Sequence, residues 1–298
     1  MSEQLVDRIV RSQKWLDPLG GFIQKAITAI YRPLGRPGKW LQSALHGSIL
    51  LGHALHPLLT DVPVGAWTVA IVLDVLAHFT SAVPHVAGDA AALLGVVAAL
   101  AAVLTGYNDF HYTYGQERRV ATAHGLLMTL VTILYLASVG LRFLAGPSVH
   151  GTAVWISVAG YAVMTVGAYF GGHLTFGIGT MVNRNAFTEA PSKFTAVGTS
   201  QDFPEGELKK VQAGDMAVLV VRRNGTLHAI GNTCSHAGGP LNEGKLEGDV
   251  IECPWHGSKF CVRDGNVKSG PATFPQPLFD VRESGGTVEV SLLTPRHK

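Results

Sequence analysis

Four apolar runs between residues 62 and 176 constrain the fold more than any other feature of this sequence. They cover residues 62–83, 90–106, 120–143 and 152–176, and each is about as long as a helix must be to cross a bilayer. Small side chains are frequent within them, which permits close packing of helices. A buried soluble bundle is the alternative, but four such runs in succession favour a transmembrane bundle of four α-helices.

Charge is spread unevenly along the 298 residues. Residues 51–191 carry 4 basic and 6 acidic side chains, whereas residues 192–298 carry 12 of each. This split predicts a membrane half followed by a soluble half. The formal net charge is only +2 and the sequence has no basic motif, so no nucleic-acid partner is expected.

Lysine and arginine predict how the chain is oriented in the membrane. Residues 1–50 carry seven of them and the loop 107–119 carries two, whereas the loops 84–89 and 144–151 carry none. Such residues are retained on the cytoplasmic side, so both termini are expected there. The protein is therefore predicted to be a multi-pass protein of the inner (cytoplasmic) membrane, with its C-terminal domain facing the cytoplasm.

Four domains follow from these patterns. In residues 1–42, apolar side chains recur at helical spacing between basic ones, which is typical of amphipathic helices on a membrane surface. A soluble helix packed on the rest of the protein is the alternative. We expect the transmembrane domain over residues 43–176, a polar linker over 177–192 and a small antiparallel β domain over 193–298, with a hairpin turn at Asn224-Gly225.

Two cysteine–histidine pairs lie in the C-terminal part. Cys234 and His236 are two residues apart, Cys253 and His256 are three apart, and sixteen residues separate the pairs. Two thiolates on one iron and two imidazoles on the other form a Rieske [2Fe–2S] site. Zinc also accepts two cysteines and two histidines, but zinc fingers usually pair like with like. The mixed pairs therefore favour the iron–sulfur cluster.

Residues from about 193 to 293 resemble the Rieske ferredoxin family, which shares the signature C-x-H-x(16)-C-x-x-H. The resemblance implies that Cys234 and Cys253 hold the buried iron of the cluster. It also implies that His236 and His256 hold the exposed iron, and that the cluster carries one electron at a time.

The resemblance also bears on the reduction potential. High-potential relatives have a serine and a tyrosine hydroxyl just after the last histidine; the corresponding positions here are Ser258 and Phe260. Ser258 is thus expected to donate a hydrogen bond to a cluster sulfur, and the second donor is missing. Because hydrogen bonds to the sulfurs raise the potential, we expect a low or intermediate value.

A disulfide that staples the cluster loops in respiratory relatives is not expected in this chain. The two additional cysteines of those relatives correspond to Gly239 and Trp255. The absence of this pair fits a reducing compartment. The third cysteine, Cys261, lies in a predicted strand and is interpreted as structural.

Residues 40–180 resemble an uncharacterised family of bacterial four-helix membrane proteins, through a G-H-x-x-H-P motif that begins at Gly52. That family has no settled activity to transfer. Four histidines are expected at the cytoplasmic end of the bundle, where they would surround a cofactor such as haem: His53, His56, His124 and His173. A quinone pocket and simple interfacial hydrogen bonding are the alternatives.

Asp74 lies well inside the first apolar run, where an acid is costly and usually functional. It is expected to hydrogen-bond a neighbouring helix or to take part in proton movement. Asp89, at the start of the second run, is expected to cap that helix.

The sequence therefore predicts a membrane-anchored Rieske protein that carries single electrons between a cytoplasmic or membrane redox partner and an unknown acceptor. The redox partner would be a reductase or an oxygenase. A complete oxygenase needs a mononuclear iron site in a further large domain, so an electron-transfer component is favoured over a complete enzyme. Three alternatives stay open: the ferredoxin component of a Rieske-type oxygenase system, a quinone- or haem-linked membrane oxidoreductase, and a redox sensor.

Overall fold

The computed structural model describes residues 5–48, 51–145 and 147–293. These residues divide into two compact units. The first contains the chain up to Gly38 together with Leu55–Thr180, and the second contains Lys39–Ala54 together with the chain from Met181 onward. The ends of the predicted N-terminal and C-terminal domains, residues 1–4 and 294–298, lie outside the described residues.

Seven α-helices form before the β domain. Three come first: α1 (Leu5–Ser12), α2 (Leu16–Tyr31) and α3 (Gly35–His46). Four long ones follow: α4 (Leu55–Phe79), α5 (His85–Phe110), α6 (Gly115–Leu144) and α7 (His150–Gly172), which continues as a π-helix over His173–Ile178. The last four are long and apolar enough to cross a membrane, which agrees with the predicted four-helix bundle.

Helix α4 begins at Leu55, although the predicted span began at residue 62. Apolarity marks the part of a helix that suits hydrocarbon, whereas the helix itself continues through the polar residues that precede this part. Pro57 lies in the first turn, where its missing N–H has no intrahelical partner to lose. Pro63 lies inside the helix, and the chain remains helical there.

Small residues and one aromatic pair hold the bundle together. Trp67 of α4 stacks on Tyr135 of α6, with ring centroids 4.0 Å apart. Gly95 of α5 allows this, because a Cβ at that position would lie 2.2 Å from Trp67 Nε1. Replacement of Gly95 by any larger residue would displace the indole, so the small side chains of the second run have a defined packing role.

Helices α1 and α2 pack on α6 and α7 through one apolar face. Val6, Val10 and Leu16 are buried in a cluster with Val120 and Phe170. The opposite faces keep large apolar side chains exposed, including Trp15, Phe22 and Ile30. These helices therefore carry apolar side chains both on the face that packs on the bundle and on the exposed surface. Their placement on a membrane surface stays a prediction.

The second unit is built from two antiparallel sheets, which agrees with the predicted β domain. The strands are β1 (Thr195–Thr199), β2 (Lys209–Ala213), β3 (Met216–Arg223), β4 (Thr226–Gly231), β5 (Lys245–Glu247), β6 (Val250–Glu252), β7 (Lys259–Cys261), β8 (Val267–Ser269), β9 (Leu278–Ser284) and β10 (Thr287–Leu292). A six-stranded sheet has the order β1-β10-β9-β4-β3-β2, and a four-stranded sheet has the order β5-β6-β7-β8.

Two segments are grouped differently from the predicted domain division. Residues 43–54 belong with the β domain rather than with the bundle, and residues 181–192 also belong to it rather than forming a free linker. Polar contacts explain both. His46 Nε2 donates to the carbonyl of Pro271 at 2.8 Å, and Asn185 Nδ2 donates to the carbonyl of Thr233 at 2.9 Å.

Candidate iron–sulfur site

Two loops with the same backbone plan carry the four candidate ligands. The first follows β4 and contains Cys234 and His236; the second follows β6 and contains Cys253 and His256. In each loop a glycine four residues after the cysteine donates its N–H to the cysteine carbonyl, at 2.9 Å in the first and 3.1 Å in the second. These glycines, Gly238 and Gly257, have φ values of +85° and +72°, which L side chains rarely adopt. Glycine is therefore required for each loop to turn its ligands inward.

The loops bring the four side chains to one place. The Cys234 and Cys253 thiols are hydrogen-bonded to each other and buried, at 1% and 3% exposure. The Nδ1 atoms of His236 and His256 are 3.2 Å apart, and the two rings are nearly perpendicular with centroids 5.0 Å apart. Two sulfurs converge inside the domain, and two imidazole nitrogens converge on its half-buried side.

The electrostatics of the site suit anionic sulfur and neutral imidazole. Backbone N–H groups of the first loop donate to Cys234 Sγ, and those of the second loop donate to Cys253 Sγ. The hydrogen bond between the thiols raises the pKa of Cys234 and lowers that of Cys253, so one of them is readily deprotonated. Burial lowers the pKa of His236 to about 3, and burial also lowers the pKa of His256. Both imidazoles are thus neutral at neutral pH, the form that binds metal.

This donor set fits a Rieske cluster. The two thiols contact each other, and the two Nδ1 atoms contact each other, although each loop supplies one cysteine and one histidine. The chemistry of the set is therefore that of two irons with unlike ligands.

A third loop, which contains Gly270 and Ala272, packs against the second cluster loop. Ser258 is fully buried, and its Oγ accepts a hydrogen bond from Ala272 N at 3.1 Å, which leaves its own O–H proton to be donated elsewhere. Gly270 brings the loops together, because a Cβ there would lie 2.7 Å from Ser258 Cα. The loop is held on its other side by His46, which donates to the Pro271 carbonyl and lies close enough for its charge to lower the pKa of His236.

The positions that carry the extra disulfide in respiratory relatives are neighbours in this structure. A Cβ on Gly239 would lie 3.0 Å from Trp255 Cγ and 2.8 Å from Cys253 Sγ. None of the three cysteines of the chain forms a disulfide bond. Trp255 instead covers the loop and keeps 55% of its surface exposed beside His256.

Sequence comparison adds a family to this geometry. A profile of the Rieske [2Fe-2S] domain matches residues 193–280. Over 98 residues the chain is 42% identical to the ferredoxin component of biphenyl 2,3-dioxygenase from Rhodococcus jostii (strain RHA1), an alignment that covers 33% of this chain and 92% of that protein. The chain belongs to the Rieske [2Fe–2S] family. Its cofactor is accordingly a Rieske-type [2Fe–2S] cluster.

Two further ferredoxins align with about the same share of this chain. Ferredoxin CarAc of Metapseudomonas resinovorans is 40% identical over 96 residues, which cover 32% of this chain and 90% of that protein. The ferredoxin of carbazole 1,9a-dioxygenase from Nocardioides aromaticivorans IC177, a solved structure, is 31% identical and aligns with 34% of this chain and 99% of its own, at a TM-score of 0.33.

The membrane half of the Rieske protein matches a second family. Residues 52–184 match the family described as "Predicted membrane protein (DUF2231)". The predicted fusion of a Rieske domain to an uncharacterised membrane domain is therefore confirmed.

The structure separates the four membrane-half histidines. His56 Nδ1 donates to the carbonyl of Ala102, and His124 Nδ1 donates to the carbonyl of Gly167, each at 2.9 Å, and an electrostatic interaction couples these two rings. His173 Nε2 instead lies 2.8 Å from Asp7 Oδ1. His53 is exposed and belongs to the other compact unit. Within the bundle unit, His56 and His124 thus lie near each other, whereas His173 is held by Asp7.

Asp74 forms a buried ion pair that the sequence analysis missed. Both terminal nitrogens of Arg142 donate to its carboxylate, at 2.9 and 2.5 Å. Asp89 does not cap α5, because no side-chain hydrogen bond caps that helix. Its Oδ1 accepts from Arg142 Nη1 at 2.7 Å and lies 3.0 Å from His150 Nε2. Arg142 fell inside an apolar run, and its charge was the signal that could have paired it with Asp74.

Proposed function

We propose that this Rieske protein is a membrane-anchored electron carrier and that its [2Fe–2S] cluster is held by Cys234, Cys253, His236 and His256. The cluster, when bound, accepts and releases one electron at a time. The cysteines would hold the inner iron and the histidines the outer iron. Ser258 would donate its hydroxyl to a cluster sulfur, because its acceptor side is already used by Ala272 N.

One observation carries this proposal. The two sulfurs are almost fully buried, whereas the two imidazoles are half-buried and lie beside an exposed tryptophan. An electron would therefore leave through the histidine side of the domain, where a partner protein can approach. Pro254 and Trp255 form the exposed tip of the second loop, and they are the surface that such a partner would contact.

A redox protein is the partner that the relatives support. Biphenyl 2,3-dioxygenase and carbazole 1,9a-dioxygenase both have ferredoxins that are similar to this domain. We therefore infer that the Rieske domain receives electrons from a reductase and passes them to an oxygenase or to another acceptor at the membrane. The role is that of an electron-transfer component.

The position in the cell is the second part of the proposal. Four helices are long and apolar enough to span a bilayer, and seven basic residues precede them. Because four is an even number, the Rieske domain would return to the side of the N-terminus. The inner membrane with a cytoplasmic Rieske domain follows from the positive-inside rule.

Electron transfer between the cluster and a protein partner should depend on Trp255. We expect Trp255→Ala to slow reduction of the cluster by NADH and the reductase component of an aromatic-ring dioxygenase at least about tenfold, because interface tryptophans often contribute 1.4 kcal/mol or more. Stopped-flow bleaching of the visible spectrum measures the rate. Reduction by dithionite, which needs no docking, should be unchanged.

Trp155→Ala is the matched control, since this tryptophan is also exposed but lies on α7. It should leave both rates unchanged. A native protein that dithionite reduces but the reductase does not, or a Trp255→Ala variant with an unaltered rate, would contradict the proposed electron exchange at this tip.

The reduction potential should respond to two positions near the cluster. Ser258→Ala is expected to lower the midpoint by about 40 mV, which corresponds to about 1 kcal/mol of hydrogen bonding to the reduced cluster. Phe260→Tyr should raise it by a similar amount, because Phe260 is fully buried in the same core as the two cysteines. Potentiometric titration followed by EPR measures both, and unshifted midpoints would exclude these hydrogen bonds.

A membrane cofactor is a second candidate function, and we propose it for His56 and His124 alone. Each ring is fixed by its Nδ1–H on a backbone carbonyl, which leaves Nε2 as the ligating atom, and this is how metal-bound histidines are usually oriented. Haem is the group that two such nitrogens would hold. Haem content after expression with a haem precursor tests this: His124→Ala should lose it and His53→Ala should keep it. Native protein with cluster iron alone would exclude it.

A further inference from the structure

An ionic cluster lies at one end of the bundle, where α4 is connected to α5 and α6 to α7. Asp74 near the end of α4, Asp89 near the start of α5, Arg142 near the end of α6 and His150 at the start of α7 all meet there. The Asp74 and Arg142 side chains are 1% and 0% exposed, while those of Asp89 and His150 are 14% and 20% exposed. Gly88 makes room, because a Cβ there would lie 2.5 Å from Asp74 Oδ1.

The charges of this cluster do not balance without a further proton. Two carboxylates contribute −2 and the guanidinium of Arg142, which does not deprotonate in proteins, contributes +1, so one negative charge remains. An unbalanced charge costs several kcal/mol in such surroundings. The neighbouring hydroxyls of Ser138 and Ser157 accept hydrogen bonds from Arg142 and carry no charge.

One pair of atoms is suited to hold the missing proton. His150 Nε2 lies 3.0 Å from Asp89 Oδ1, at the less buried edge of the cluster. We propose that Asp89 and His150 form a proton-binding site in the membrane domain, which takes up one proton from the adjoining solution to neutralise the cluster. This inference stands independently of the electron-transfer function.

A metal ion is the other ligand that could supply positive charge, since oxygen and nitrogen atoms of Asp74, Asp89 and His150 all lie within 4.8 Å of one another. The guanidinium occupies the place that an ion would take. Arg142 Nη1 donates to Asp74 Oδ1 at 2.9 Å and to Asp89 Oδ1 at 2.7 Å. A proton between Asp89 and His150 requires no such space.

The other titratable groups around the site are few among the described residues. His85 of α5 stacks on His150, with ring centroids 4.8 Å apart and planes at 61°. Tyr135 of α6 interacts with Arg142 and Asp74 through their charges. Of the two stacked imidazoles, His150 is the one with a described nitrogen within hydrogen-bond distance of a cluster carboxylate, so it is the ring that completes the cluster.

Infrared spectroscopy of the purified protein in detergent can locate the proton. If His150 holds the proton, the native protein should show no protonated-carboxyl C=O band from the cluster. In His150→Ala the proton must move to a carboxylate, so one such band should appear. The band should be absent from His150→Ala/Asp89→Asn, because the charges of Asp74 and Arg142 balance in this variant without an added proton. A folded His150→Ala variant that lacks the band would overturn the proposal.

Thermal melting against pH provides a second readout if His150→Ala does not fold. High pH removes the bound proton and leaves the cluster with a net negative charge, so the melting temperature should fall as pH rises. Asp89→Asn should remove this fall, and His78→Gln, whose ring contacts Phe79, should keep it. A native-like fall in Asp89→Asn would contradict the proposed site.

Sodium distinguishes the proton from a metal ion. At high pH, replacing choline chloride with the same concentration of sodium chloride should leave the melting temperature of the native protein unchanged. A rise with sodium that Asp89→Asn abolishes would assign the site to a cation and overturn the proton assignment. EPR of the cluster should be the same in all these variants.

Discussion

Cys234→Ala is expected to remove the [2Fe–2S] cluster and its EPR signal completely. Cys234 is the more deeply buried of the two cysteines, and its sulfur contacts that of Cys253 and receives backbone hydrogen bonds from its own loop. Without it, the inner iron would keep a single protein ligand. Iron content should fall from two atoms per chain to none, measured together with EPR of the reduced protein.

Cys261→Ala is the matched control. Cys261 is also buried and reduced, but it lies at the end of β7 and belongs to neither cluster loop. The variant should keep both its iron and its EPR signal. An unaltered signal in Cys234→Ala, or its loss in Cys261→Ala alone, would show that the ligands have been wrongly assigned.

Arg142→Leu is expected to destabilise the membrane domain by roughly 3–5 kcal/mol, the usual cost of removing one partner from a buried ion pair. The change would leave the Asp74 carboxylate, at 1% exposure, without its bidentate donor. Since whole domains are stable by only about 5–15 kcal/mol, this is a large share of the total, and the folded fraction should melt at a markedly lower temperature. Yield in detergent extracts and the melting temperature of that fraction measure the effect.

Two variants show whether the cost comes from the buried charge. Arg119→Leu removes an ion pair with Asp17 whose side chains are 30% and 35% exposed, so it should cost at most about 1 kcal/mol. Asp74→Leu/Arg142→Leu removes both charges of the buried pair and should recover most of the loss. If the double variant is no more stable than Arg142→Leu, the loss comes from packing instead.

The features that sequence analysis predicted are local ones. The cysteine–histidine spacing and the Asn224-Gly225 hairpin both depend on residues within a few positions of one another. At that hairpin, Asn224 and Gly225 have φ values of +51° and +77°, as a type I′ turn requires. Apolar length likewise predicts a membrane helix without any knowledge of its neighbours.

The features that it missed depend on distant partners. His46 and Pro271 are 225 residues apart, and Arg142 and Asp74 are 68 apart. No local pattern connects the two members of such a pair. Asp74 and Arg142 each stand out as a charge within an apolar run, but neither run shows by itself that the two residues meet. Of the three-residue strands, β7 around Cys261 was predicted, whereas Lys245–Glu247 was missed because it is too short to show alternation and is held by its sheet neighbours.

EPR of membrane vesicles reduced with dithionite, which crosses bilayers slowly, tests the central claim most directly. Inside-out vesicles from cells that express the protein should show the signal of a reduced Rieske cluster at once. Right-side-out vesicles should show it only after detergent is added. A signal that stays in the soluble fraction would contradict the membrane anchor, immediate reduction in right-side-out vesicles would contradict the cytoplasmic orientation, and no Rieske signal in any fraction would contradict the cluster.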